Sequence, residues 1–99
     1  MPSSTEINTL QHFFTARPVK RAYLFGSYSR NEQNIDSDIE LLVEFDHAEP
    51  IGMKFFVYLI ELEELLKRKV DLVSSEGLSK HVQPLIDKDK MLIYERVTP

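Results

Sequence analysis

A Gly-Ser pair at residues 26 and 27 is followed, after ten intervening residues (28–37), by two acidic residues two positions apart, Asp38 and Glu40, and the second of them opens an apolar run. No other stretch constrains the fold as much. On a strand alternate side chains share a face, so Asp38 and Glu40 can converge on one cation while Ile39, Leu41, Val43 and Phe45 pack the opposite face. Glycine followed by a small hydroxyl residue after a strand lets backbone N–H groups and an Oγ approach phosphate closely, above all where a helix begins. The pattern suits a nucleotide held through magnesium.

Ninety-nine residues make one small domain, spanning 1–99, with room for a single core and none for a separate substrate-binding module. A second module, where one is needed, is expected from another chain. Hydrophobic content of 42% and charged content of 28% are ordinary for a globular protein. With no cysteine there is no disulfide, thiolate zinc site or thiol nucleophile, which agrees with a reducing cytoplasm. The first ten residues carry no basic-then-apolar signal, and no apolar stretch approaches a membrane span. Sixteen acidic against 12 basic residues argue against binding long nucleic acid through its phosphates. A mononucleotide arriving with its metal ion meets no such objection, because the cation bridges anionic protein and anionic phosphate.

Along the chain, Ser3 and Glu6 form a capping box before a helix over 4–16, with Ile7, Leu10, Phe13 and Phe14 as its packing side and Pro18 closing it. KRAYLF, 20–25, reads as the first strand. After Gly26, SYSRNEQ can open as a short helix with Arg30 on the side of Ser27, where it can pair with phosphate or with Asp36 or Asp38. Residues 31–37 are turn formers, and a strand over 38–45 follows. Asp36 and Asp38 are also two apart, but Asp36 sits among turn residues, so Asp38 with Glu40 is the preferred register. A polar loop leads to the longest helix, 51–67, with Ile51, Phe55, Leu59, Leu62 and Leu66 as one stripe, widened by Phe56, Ile60 and Leu65. Glu63 with Lys67 and Glu64 with Arg68 have the spacing of exposed ion pairs, and so broad an apolar surface leaves room for a partner chain. KVDLVS is a third strand with Val70 and Leu72 facing one way and Asp71 the other. A helix over 79–86 with Leu78, Val82, Leu85 and Ile86 inward, a DKDK turn and a last segment over 91–95, edge strand or helical turn, complete the chain. The expected fold class is α/β (α+β), a small mixed sheet of three to four strands with helices packed on it.

These residues resemble the minimal nucleotidyltransferases of the DNA polymerase beta superfamily. The match rests on Gly26, Ser27, Arg30, Ser37, Asp38, Glu40 and, downstream, Asp71, and it covers nearly the whole chain. One position departs from the family pattern: the second metal-binding residue, usually Asp, is Glu40. The resemblance implies that Asp38, Glu40 and Asp71 are catalytic and bind Mg2+ (or Mn2+), with Asp71 helping to deprotonate the acceptor hydroxyl. Gly26, Ser27, Arg30 and Ser37 are then nucleotide-binding residues and ATP the substrate. It also implies the role of an antitoxin that silences a HEPN-domain ribonuclease by transferring AMP to a tyrosine hydroxyl.

Three classes of function remain open on sequence alone. The first is an AMP- or NMP-transferring enzyme of the cytoplasm. The second is a nucleotidyltransferase-like protein that neutralises a partner by binding. The third is an α/β domain whose carboxylates serve structure or another metal. Whether the chain forms homo-oligomers is equally open.

Overall fold

The computed structural model describes residues 4–26, 38–46 and 51–97. A helix, α1 (Ser4–Thr15), leads into strand β1 (Val19–Phe25); β2 (Ile39–Phe45), α2 (Lys54–Leu66) and β3 (Val70–Ser74) follow. A single 3-10 turn, a short α3 (Gln83–Asp89) and β4 (Met91–Glu95) end the chain. The strands form one mixed sheet in the order β3-β2-β1-β4. β1 is antiparallel to both β2 and β4, while β2 and β3 run parallel, a pairing that needs a crossover, here α2.

Side-chain alternation decides which sheet face is covered. Ala22, Leu24, Ile39, Leu41, Val43, Phe45, Val70 and Leu72 share one face and form a buried cluster with Leu10, Phe13 and Phe14 of α1 and Leu62 of α2. The i, i+3, i+4 spacing of Leu10, Phe13 and Phe14 makes α1 one-sided. Arg17 ties the two helices together: its guanidinium donates to the Phe13 carbonyl at 2.7 Å and to Glu61 at 3.0 Å, and stacks 3.5 Å above the Phe13 ring. At the sheet edge the β1–β4 register slips between Ala22 and Tyr23, so that Ile93 and Tyr94 both turn toward the core.

The structure departs from the sequence reading in four places. Residues 51–53 precede the long helix, and of the side chains expected to widen its packing stripe, Phe56, Ile60 and Leu65 are all more than half exposed. Glu63 and Arg68 have partners outside α2: Glu63 accepts the Val70 backbone N–H at 3.0 Å, and Arg68 reaches Glu6 of α1 at 3.2 Å. The last helix runs over Gln83–Asp89 instead of 79–86, because Pro84 sits in its first turn, where no N–H is needed, and so starts the helix rather than limiting it. Of its expected inward residues Ile86 is buried, whereas Val82 and Leu85 are exposed, and the DKDK segment is the helix end. The segment at 91–95 is an edge strand. Ser3 of the expected capping box, the short helix after Gly26 and the turn over 31–37 lie outside the described residues.

Candidate active site

The sheet face opposite α1 and α2 carries the acidic residues; it is partly covered, since Leu42, between Glu40 and Glu44 on β2, is buried and Lys90 at the end of α3 lies over the Tyr23 ring. Glu40 is the second residue of β2 and Asp71 the second of β3, and the two are Cα partners in the parallel ladder. Across the other neighbour, Glu40 pairs with Phe25, the last residue of β1. Paired residues point to the same side and neighbouring strands lie about 4.8 Å apart, so Asp71, Glu40 and Phe25 form a row at one end of the sheet. Asp71 is exposed and Glu40 half-buried. Asp38 precedes the strand and is exposed. Its position is set by the next residue, whose N–H donates to the Lys69 carbonyl at 3.0 Å. The Glu63 carboxylate on the Val70 N–H fixes the start of β3, and with it Asp71.

Gly26 follows Phe25 with φ +74, a left-handed backbone that favours glycine. The Glu40 carboxylate lies directly over its α-carbon, and a methyl group at Gly26 would overlap the carboxylate. The structure therefore brings together Gly26, Glu40 and Asp71, with Asp38 at the neighbouring strand entrance. Ser27, Arg30 and Ser37 lie outside the described residues. Three carboxylates are hard oxygen donors of the kind magnesium takes. Among the described residues, though, no three His, Cys, Asp or Glu side chains are drawn close enough to enclose an ion. The donors are of the right type and share one end of the sheet; closing on a cation requires their side chains to turn inward.

Below this row, the same face continues as a polar network that the sequence reading did not pick out. Tyr23 donates its hydroxyl to Glu44 at 3.1 Å, and Arg21 bridges Glu44 at 3.0 Å and Glu95 at 2.8 Å. Lys90 lies 4.6 Å above the Tyr23 ring and pairs with Asp87 at 2.9 Å. Burial, then the charge of Glu44, holds the Tyr23 phenol above the ordinary tyrosine range, and the Asp87 bond raises Lys90. The signal was present in the alternation of Arg21 and Tyr23 along β1 and of Glu40 and Glu44 along β2. A groove of about 760 Å3 between α1 and α2, lined by His12, Arg17, Glu61 and Leu65 among others, opens on the opposite side of the sheet and takes no part in the acidic row.

With this geometry in place, the sequence model described as polymerase beta, nucleotidyltransferase, matches residues 8–98. The chain belongs to the polymerase beta nucleotidyltransferase family. Protein adenylyltransferase MntA of Thermococcus cleftensis is 33% identical to this nucleotidyltransferase over 75 residues, covering 76% of this chain and 75% of that one. A candidate protein adenylyltransferase of Methanocaldococcus jannaschii, MJ1379, is 42% identical over 78 residues, covering 77% and 76%. Among solved structures, a minimal nucleotidyltransferase superposes with a TM-score of 0.75 at 26% identity over 88% of each chain. A crystal structure of a toxin-antitoxin with AMP-PNP gives 0.79 at 22% identity, covering 91% of this chain and 73% of that one, and shares the fold. No helix among the described residues is long and apolar enough to cross a membrane.

Proposed function

We propose that this nucleotidyltransferase moves AMP from ATP to a hydroxyl of a partner protein, a tyrosine of a helical HEPN toxin, and so acts as the antitoxin of a cytoplasmic pair. The observation that carries the reading is the pairing of Glu40 with Asp71 beside Gly26 on the sheet face opposite α1 and α2. Relatives named protein adenylyltransferases support the transferred group. The shared fold of toxin–antitoxin structures supports the partner.

In this reading Asp38, Glu40 and Asp71 would hold Mg2+, and Gly26 with Ser27 would present backbone N–H groups to the β- and γ-phosphates, with Arg30 and Ser37 as further nucleotide contacts. Bound Mg2+ supplies charge neutralisation and alignment of the attacking and leaving oxygens. Asp71, exposed on the acidic face, takes the proton of the incoming hydroxyl as it attacks the α-phosphate and pyrophosphate departs. The test is transfer of labelled AMP from ATP to the purified toxin: Asp38→Asn should abolish it while the chain stays folded. Transfer that persists in Asp38→Asn sinks the assignment.

A second reading, neutralisation by binding alone, is favoured by one observation. Glu40 replaces the family's Asp, and its longer side chain places the carboxylate over Gly26, in the space a phosphate would approach. Toxin neutralisation that survives Asp38→Asn, with no transfer by the natural chain, selects this reading.

A further inference from the structure

The outward side of α2 carries an apolar stripe that the chain itself does not cover. Met53 is 75% exposed, Phe56 55%, Val57 52% and Ile60 57%, at the i, i+3, i+4, i+7 positions of one helical face. The helix packs inward through Leu62, with Phe55, Leu59 and Leu66 beside it. The stripe is therefore the back of α2 as seen from the core. Four large apolar side chains in two turns are more than scattered surface residues.

The location of the stripe argues against one occupant. α2 covers the sheet face of Leu41, Val43 and Leu72, and Glu40 and Asp71 point from the other face. A helix with its side chains is about 10–12 Å thick, so sheet and helix together separate the stripe from the carboxylates. On the reading that these carboxylates serve transfer, an acceptor hydroxyl has to arrive at the acidic face, and a protein seated on the stripe would have to reach around the sheet to deliver it to the same chain.

The charges at the ends of the stripe indicate what does sit there. Lys54 and Glu61 are seven residues apart, hence on the same flank of α2, three before and four after Val57. In an antiparallel helix pair, like flanks meet. Pairing the stripe with itself about a two-fold axis at Val57 stacks the two valines and packs Met53 and Phe56 around the facing helix. It also lays each Lys54 beside the partner subunit's Glu61. Glu61 keeps its Arg17 bond and is still 40% exposed. Such self-complementarity is what an isologous contact requires. We propose that the chain forms a two-fold dimer by antiparallel packing of α2 on α2, back to back, with both acidic faces outward.

The test uses sedimentation equilibrium of the purified chain across the micromolar range, with circular dichroism to confirm folding. A dimer is expected. Val57→Lys and Val57→Glu each place like charges on the axis and should each give a folded monomer; mixed in equal amounts they should re-form a one-to-one dimer, because lysine then faces glutamate. A natural chain that stays monomeric, or folded variants that fail to pair when mixed, overturns the proposal. So does a monomeric chain that binds the toxin and loses that binding in Val57→Lys, which reassigns the stripe. ATP-dependent transfer, read on the same samples, reports separately on the acidic face.

Discussion

Glu40 and Asp71 face each other across the only parallel pairing among the described strands, each the second residue of its strand and each turned away from the core. β2 is central, flanked by β1 and β3, and its Ile39, Leu41 and Val43 are fully buried on the covered face. The pair is thus positioned by residues buried on the other side of the sheet.

Asp71→Asn should separate chemistry from folding. Losing one carboxylate from a metal–phosphate site removes several kcal/mol of charge stabilisation, so transfer should fall by about a hundredfold or more. The thermal midpoint should hold, since the side chain is exposed. Parallel initial-rate and melting measurements check this. A large fall in the midpoint would mean that Asp71 serves structure.

Glu40→Asp should draw the carboxylate back by on the order of 1 Å and clear the space over Gly26. If the extra methylene misplaces the ligand, transfer rate or magnesium affinity should rise, by up to about a hundredfold. Steady-state kinetics over a magnesium series gives the answer. Equal rates and affinities would show that the longer side chain serves as well.

Gly26→Ala should cost roughly 1–2 kcal/mol, the usual penalty for a left-handed non-glycine residue. The overlapping group is the end of a flexible side chain, so Glu40 can swing aside. The cost should therefore change by less than about 0.5 kcal/mol when the substitution is repeated in Glu40→Ala. Urea unfolding of the four proteins completes this cycle. Strong coupling would show Glu40 locked over the glycine.

Stability should fall at alkaline pH through Tyr23. Burial, and then Glu44, raises its folded pKa above the ordinary tyrosine value of 10.0, so the folded chain keeps a proton that the unfolded chain has released. The stabilisation is complete below pH 10.0 and is lost as pH rises through the folded value. Lys90, raised from 10.5 by Asp87, acts in the same direction. Urea midpoints compared at about pH 9 and about pH 11 should drop less in Tyr23→Phe than in the natural chain. An equal drop removes Tyr23 from the account.

The strand alternations made much of this legible before any coordinates. The alternation along β2 and the lone acid in KVDLVS put Glu40 and Asp71 on the face away from the core, with Asp38 just ahead of β2, and the order of elements carried the sheet. Other features depend on information that periodicity does not hold. Apolar spacing alone cannot separate Leu62, which is buried, from Ile60, which is not, because an outward docking stripe obeys the same 3.6-residue rule. Pro84 begins α3, whereas its sequence context is equally that of a proline ending a helix, and only the position of the first turn decides. Arg68 with Glu6 joins residues 62 apart in sequence, beyond any local pairing rule. Among the residues assigned to the nucleotide, Ser27, Arg30 and Ser37 rest on the motif alone.

The division of the sheet into a buried face and an acidic face has an evolutionary consequence. On the proposed assignment, selection for a stable fold acts on Leu24, Leu41, Leu62 and their neighbours and selection for transfer on Asp38, Glu40 and Asp71, and the two sets do not overlap. A lineage that no longer needs transfer can drift at the exposed Asp38 and Asp71 without touching the buried cluster. Enzyme and inert binder are then neighbours in sequence space, one substitution apart, wearing the same shape.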